Sequence, residues 1–135
     1  MHGSVTGTLK HLLQLEGLFV LMLSALLYSH FGNGWATFAL FFLAPDVAML
    51  GYLGGRKAGA AVYNLTHSYV LPLALLGYAV LAHADLPAAA GLIWTAHIGF
   101  DRMLGYGLKY GDGFGFTHLG LKGKARTRAK QMAEA

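Results

Sequence analysis

Four long apolar runs separated by short turns account for most of the chain. The first, His11 to Tyr28 (HLLQLEGLFVLMLSALLY), is followed by Ser29 to Gly34, where Gly32, Asn33 and Gly34 interrupt any helix. The second, Trp35 to Tyr52 (WATFALFFLAPDVAMLGY), opens on an aromatic of the kind favoured at membrane interfaces and carries Pro45 and Asp46 inside it. After a tight basic loop, Leu53 to Lys57, the third run covers about residues 58–82, with Pro72 as an expected kink. A turn without lysine or arginine, His83 to Pro87, leads to the fourth run, about residues 88–106. Runs of this length with so few charges can cross a bilayer as helices. The pattern predicts an all-α, four-transmembrane-helix bundle within residues 1–121, with spans at about 11–28, 35–52, 58–82 and 88–106. A Gly/aromatic-rich segment, Gly105 to Gly120, closes it, and residues 122–135 form a basic tail.

Composition supports lipid as the solvent. Of 135 residues, 56% are hydrophobic and 12% charged, where a soluble domain is nearer a quarter charged. With no cysteine, disulfides, iron–sulfur clusters and thiolate zinc sites are excluded, so any metal would need oxygen and imidazole ligands. Glu16 inside the first run, and the lack of a small-x-small pattern after Tyr28, favour a span over a signal peptide. The net charge of +4 is uneven, because half of the ten basic residues are Lys122, Lys124, Arg126, Arg128 and Lys130. That cluster fits a tail held near anionic lipid, and no recognition module for nucleic acid accompanies it. Lys10, Arg56, Lys57 and the tail fall on one side of the four spans. The distribution places both termini in the cytoplasm and the protein, as a multi-pass protein, in the inner membrane.

Candidate chemistry is concentrated in Trp94 to Tyr110 (WTAHIGFDRMLGYGLKY). His97 and Asp101 lie one turn apart on one helix face, and Arg102 points about 100° away. Ionisable groups in a span are costly and mark a site by default. Counting about 1.5 Å per residue from the cytoplasmic ends puts Glu16, Asp46, Asn64 and Asp101 roughly 7 to 10 Å deep and His67 and His97 roughly 13 to 15 Å deep. Four helices thus bring polar groups towards one layer, and Tyr63, Asn64 and His67 share a face. With His118 from the Gly-rich segment as a lid ligand, the set is an oxygen-plus-imidazole inventory suited to Zn, Mn or Fe. No HExxH, ExxH or HxxxH motif is present. Two histidines at similar depth also fit axial ligation of haem, which the neighbouring carboxylates disfavour.

The strings LLQLEG, FFLAPDVAMLGYLGG, GAAVYNLTHSYVLP and WTAHIGFDRMLGYGLKYGDGFGFTHLG closely resemble small bacterial four-helix membrane proteins grouped as domain of unknown function family 4260. The resemblance runs from about Leu12 to Gly120. It implies that Glu16, Asp46, Asn64, His67, His97, Asp101, Arg102, Lys109 and His118 stand at the family's motif positions, and it implies no activity.

The expected function is a metal-dependent hydrolase acting on a membrane-associated substrate. Asp46, His67, His97 and His118 would bind the ion, Asp101 or Glu16 would act as the base, and Arg102, Lys109, Asn64 and Tyr63 would hold the substrate. The rivals are a non-enzymatic proton relay, transporter or ligand-binding module, and a purely structural polar network. Expected partners are the bilayer, a lipid or small-molecule ligand and, in the transport reading, further copies of the chain.

Overall fold

In the computed structural model of the chain, residues 7–31, 34–108, 116–117, 119–121 and 131–132 are described. Four rods form the bundle. Helix α1 (Gly7–Phe31) is the first, and the second is α2 (Trp35–Phe41) continued by a 3₁₀ helix (Ala44–Gly54). The third is α3 (Arg56–His67) continued by α4 (Val70–Ala82), and the fourth is α5 (Asp85–Met103). Two short strands, β1 (Phe116–Thr117) and β2 (Gly120–Leu121), pair antiparallel, a small departure from the all-α expectation.

The second and third rods are broken rather than kinked. Pro45 lacks the N–H that would continue the α2 ladder, so the chain turns at residues 42 and 43 and restarts with Pro45 in the first turn of the 3₁₀ helix. In the third rod, Ser68 is extended (φ −92°, ψ 158°), and Pro72 sits in the first turn of α4. Each break therefore falls at or just after the residue four before a proline, Phe41 or Ser68, whose carbonyl the proline ring crowds and cannot serve with an N–H.

The first and fourth rods run unbroken, and α1 packs along α5 more extensively than any other pair of elements. Glycine allows that approach. A Cβ at Gly17 would lie 2.5 Å from Arg102 Cβ and 2.7 Å from the Gly99 oxygen, and one at Gly99 would lie 2.7 Å from the Gly17 oxygen. Close backbone contact through small residues is how helices associate when lipid surrounds them. At its far end α5 closes in a Schellman motif. Gly105 (φ 87°) gives its N–H to the Arg102 carbonyl and Tyr106 gives its N–H to the Asp101 carbonyl.

Three rods, Gly7–His30, Trp35–Gly54 and Arg56–Ala82, are long and apolar enough to cross a membrane. The fourth expected span, α5, does not meet that criterion, and it is the most buried helix of the four rods. A helix shielded by its neighbours can carry more polarity than one facing lipid. The core holds Tyr28, Ala89, Leu92 and Ile93, packed by Phe38, Phe42 and Leu76. Rings of Tyr28, Phe38 and Phe42 follow one another at centroid separations of 5.0 and 5.5 Å, and Phe42 reaches His97 at 5.3 Å.

Candidate metal centre

Both breaks deliver chemistry to the same place. The first puts Asp46 in the opening turn of the 3₁₀ helix, and the second makes His67 the last residue of α3. Opposite them, α5 presents His97 and Asp101. Asp46 Oδ1 lies 3.1 Å from His67 Nε2 and 3.2 Å from His97 Nε2. The two Nε2 atoms are 3.2 Å apart, and Asp101 Oδ2 lies 3.2 Å from His97 Nε2 and 3.6 Å from that of His67. One donor atom from each of the four residues fits within 4.8 Å. Both imidazoles are buried, while the side chains of Asp46 and Asp101 keep 33% and 15% exposure. The accessible side of the cluster is therefore its carboxylate side.

The hydrogen bonds fix what these atoms can do. His67 Nδ1 lies 3.0 Å from the Tyr63 carbonyl oxygen, which can only accept, so in the neutral ring Nδ1 carries the proton and Nε2 turns a lone pair to the centre. That lone pair then faces a carboxylate oxygen at 3.1 Å, acceptor against acceptor. A single proton on His97 Nε2 would relieve one of the short contacts and leave the rest. A cation at the centre relieves all of them. In a tetrahedral site with ligands about 2.0–2.1 Å from the ion, neighbouring ligand atoms are roughly 3.3 Å apart, and five of the six separations here span 3.1 to 3.6 Å, with the carboxylate pair within 4.8 Å. Two carboxylates and a divalent ion also sum to zero charge, which lowers the cost of burial.

A second layer holds the imidazoles. Tyr63 stacks on the His67 ring at 3.7 Å and 4°, and Thr66 Oγ1 sits 3.0 Å from His67 Nδ1. His97 Nδ1 is buried beside the Phe42 backbone without a hydrogen bond of standard geometry. The break after His67 strips the last carbonyls of α3 of their helical partners. Two side chains of α5 take them up. Trp94 Nε1 donates to the Thr66 oxygen at 2.6 Å, and Arg102 Nη2 donates to the His67 oxygen at 2.9 Å. The Arg102 guanidinium also lies 5.8 Å from the centre of the Tyr69 ring.

Residues 10–121 match the domain of unknown function DUF4260. The chain belongs to that family. No curated protein and no solved structure matches it. All four clustered residues, and the Trp94 and Arg102 that support them, lie inside the DUF4260 match.

The sequence-derived site residues are divided by this geometry. Asp46, His67, His97 and Asp101 meet, and Tyr63 and Arg102 border them. Asn64 is half-buried one turn before the end of α3. Glu16 is exposed and lines a separate 520 Å³ cavity with Tyr69 and Arg102, so α1 adds no donor to the cluster. Its neighbour Gly17 is the residue that faces α5, which turns Glu16 about 100° aside. His118 and Lys109 lie outside the described residues. Sequence reasoning missed the roles of Trp94 and Arg102 as donors to carbonyls. Their signal was the pairing of a proline-broken third run with two N–H donors flanking His97 and Asp101.

Proposed function

We propose that this protein is a multi-pass inner-membrane enzyme whose Asp46–His67–His97–Asp101 cluster holds one divalent ion, Zn, Mn or Fe, and hydrolyses a membrane-associated substrate. The observation that carries the reading is the set of short contacts between atoms that are nearly all acceptors, at the spacing of a metal's ligand shell. A bound ion would supply Lewis acidity and lower the pKa of a water at the exposed carboxylate side. His67, His97 and Asp46 fix its position, and Asp101 is the carboxylate placed to take a proton from water. Both termini lie in the cytoplasm in this reading, because Lys10, Arg56, Lys57 and the tail share one side.

Protein purified in detergent should contain close to one equivalent of metal by elemental analysis. His97→Ala should lose it while remaining folded, and acid should release it as protons take the ligands. Folded wild-type protein without metal contradicts the reading.

A proton relay is the second reading, favoured by the partial exposure of Asp46 at the end of a continuous carboxylate–imidazole chain. It predicts proton flux in liposomes that Asp46→Asn abolishes, and flux equal to empty vesicles removes it.

A further inference from the structure

A groove of 440 Å³ runs beside the metal centre between the second rod and α5. Its walls are apolar almost throughout, with Phe41, Ala44, Ala90, Ile93 and Trp94 among them. Along α5 it extends from Leu86 to Trp94, roughly 12 Å at the rise of a helix. Two of its lining side chains, Phe41 and Leu86, are themselves exposed, and Leu40 and Leu43, exposed neighbours of Phe41 along the chain, belong to a rod able to cross a membrane. At the inner end the character changes. Pro45 is the covalent neighbour of Asp46, and Thr66 touches both the groove and His67 Nδ1. Trp94 spends its indole N–H on the Thr66 oxygen and turns the rest of its ring to the groove wall.

A trough that is apolar for its length, edged by exposed apolar side chains and bordered at one end by a polar centre, matches one ligand chemistry. We infer that it seats a single hydrocarbon chain of a membrane amphiphile, with the amphiphile's polar group at the Asp46–His67–His97–Asp101 cluster. The inference rests on reading that cluster as the reaction centre and names its substrate class. Water would gain little in a groove with so few polar partners. Each buried methylene of a chain contributes about 0.8 kcal/mol, so chain length governs affinity.

The test uses the groove's own tryptophan. The chain contains two, and Trp35→Phe leaves Trp94 as the only one. In detergent, titration with stearic acid carrying a nitroxide on its chain should quench Trp94 saturably at one probe per protein. Ala90→Phe fills the groove from an exposed position and should weaken that quenching by about tenfold or more. Ala44→Leu, on the opposite wall, provides a second block should the first variant fail to fold. Quenching that rises without saturation, or that neither variant alters, overturns the proposal. Metal content measured on the same samples separates the two claims. Metal retained without saturable quenching removes the groove's occupant and keeps the centre, while saturable quenching of metal-free protein does the reverse.

Discussion

Helices α1 and α5 run unbroken and meet backbone to backbone at Gly17 and Gly99, whereas the two rods opposite are each interrupted just upstream of a proline. The unbroken pair satisfies its polar backbone internally and can be brought as close as two glycines permit. Each broken rod leaves backbone groups without helical partners in a setting where such groups cost several kcal/mol. Those groups are where the polar chemistry gathers. Asp46 follows one break, His67 precedes the other, and Trp94 and Arg102 reach across from α5 to the open carbonyls. An unbroken pair therefore sets the spacing of the bundle, and the broken pair completes the site by bringing Asp46 and His67 to His97 and Asp101 of α5.

The largest effect should come from disturbing the unbroken pair. In Gly99→Leu the new side chain meets the Gly17 oxygen and the Leu21 nitrogen, which are backbone atoms and cannot turn away. The cost should exceed the about 1–3 kcal/mol of ordinary overpacking. Loss of a monodisperse species on size exclusion is the expected result, and a melting temperature within about 2 °C of wild type would show that the helices are not in close contact.

An intermediate effect should follow from cutting the link between α5 and the broken third rod. Arg102→Met keeps an apolar stem but leaves the His67 oxygen without its donor, at about 1–3 kcal/mol. Because His67 is also a ligand of the proposed ion, metal affinity measured against a competing chelator should fall by roughly 10–100-fold. Arg102→Lys should recover part of it, since one ammonium can reach one carbonyl but lacks the planar fork. Stability lost with affinity unchanged would make the contact a helix cap and nothing more.

The smallest effect belongs to Trp94→Phe, which preserves a ring in the groove wall and removes only the N–H to the Thr66 oxygen. A loss of about 0.5–1.5 kcal/mol by thermal denaturation is expected, with metal content unchanged. Metal lost here would place Trp94 in the ligand-holding layer alongside Arg102.

Much of this was legible in the residues. Period and length alone divide the chain into its four rods, and the i, i+4 spacing of His97 and Asp101 puts two donors on one face. Depth counting draws Asp46, His67, His97 and Asp101 towards one another, and these four do cluster, but depth says nothing of direction around a helix axis. Glu16 stands apart from the cluster for that reason. Helix α1 is apolar on nearly every side, so its sequence does not announce which face meets α5, and the close contact at Gly17 decides it. The prolines signalled distortion, yet the breaks fall upstream of them, because proline disturbs the residues before it more than its own position. Arg102 read as a cation awaiting an anion. Its partner is a backbone carbonyl, which appears only once the third rod is known to break after His67. Gly59 has a packing role that its sequence context does not announce, since any Cβ there would collide with the Tyr52 ring.

The pairing of broken rods with site chemistry is tested most directly by X-ray absorption at the metal edge of the purified protein. A first shell of nitrogen and oxygen at about 2.0–2.2 Å with outer-shell scattering from two imidazoles, reduced to one in His67→Ala, is the predicted result. Folded protein that holds no metal, or a metal whose shell contains no imidazole, would contradict it.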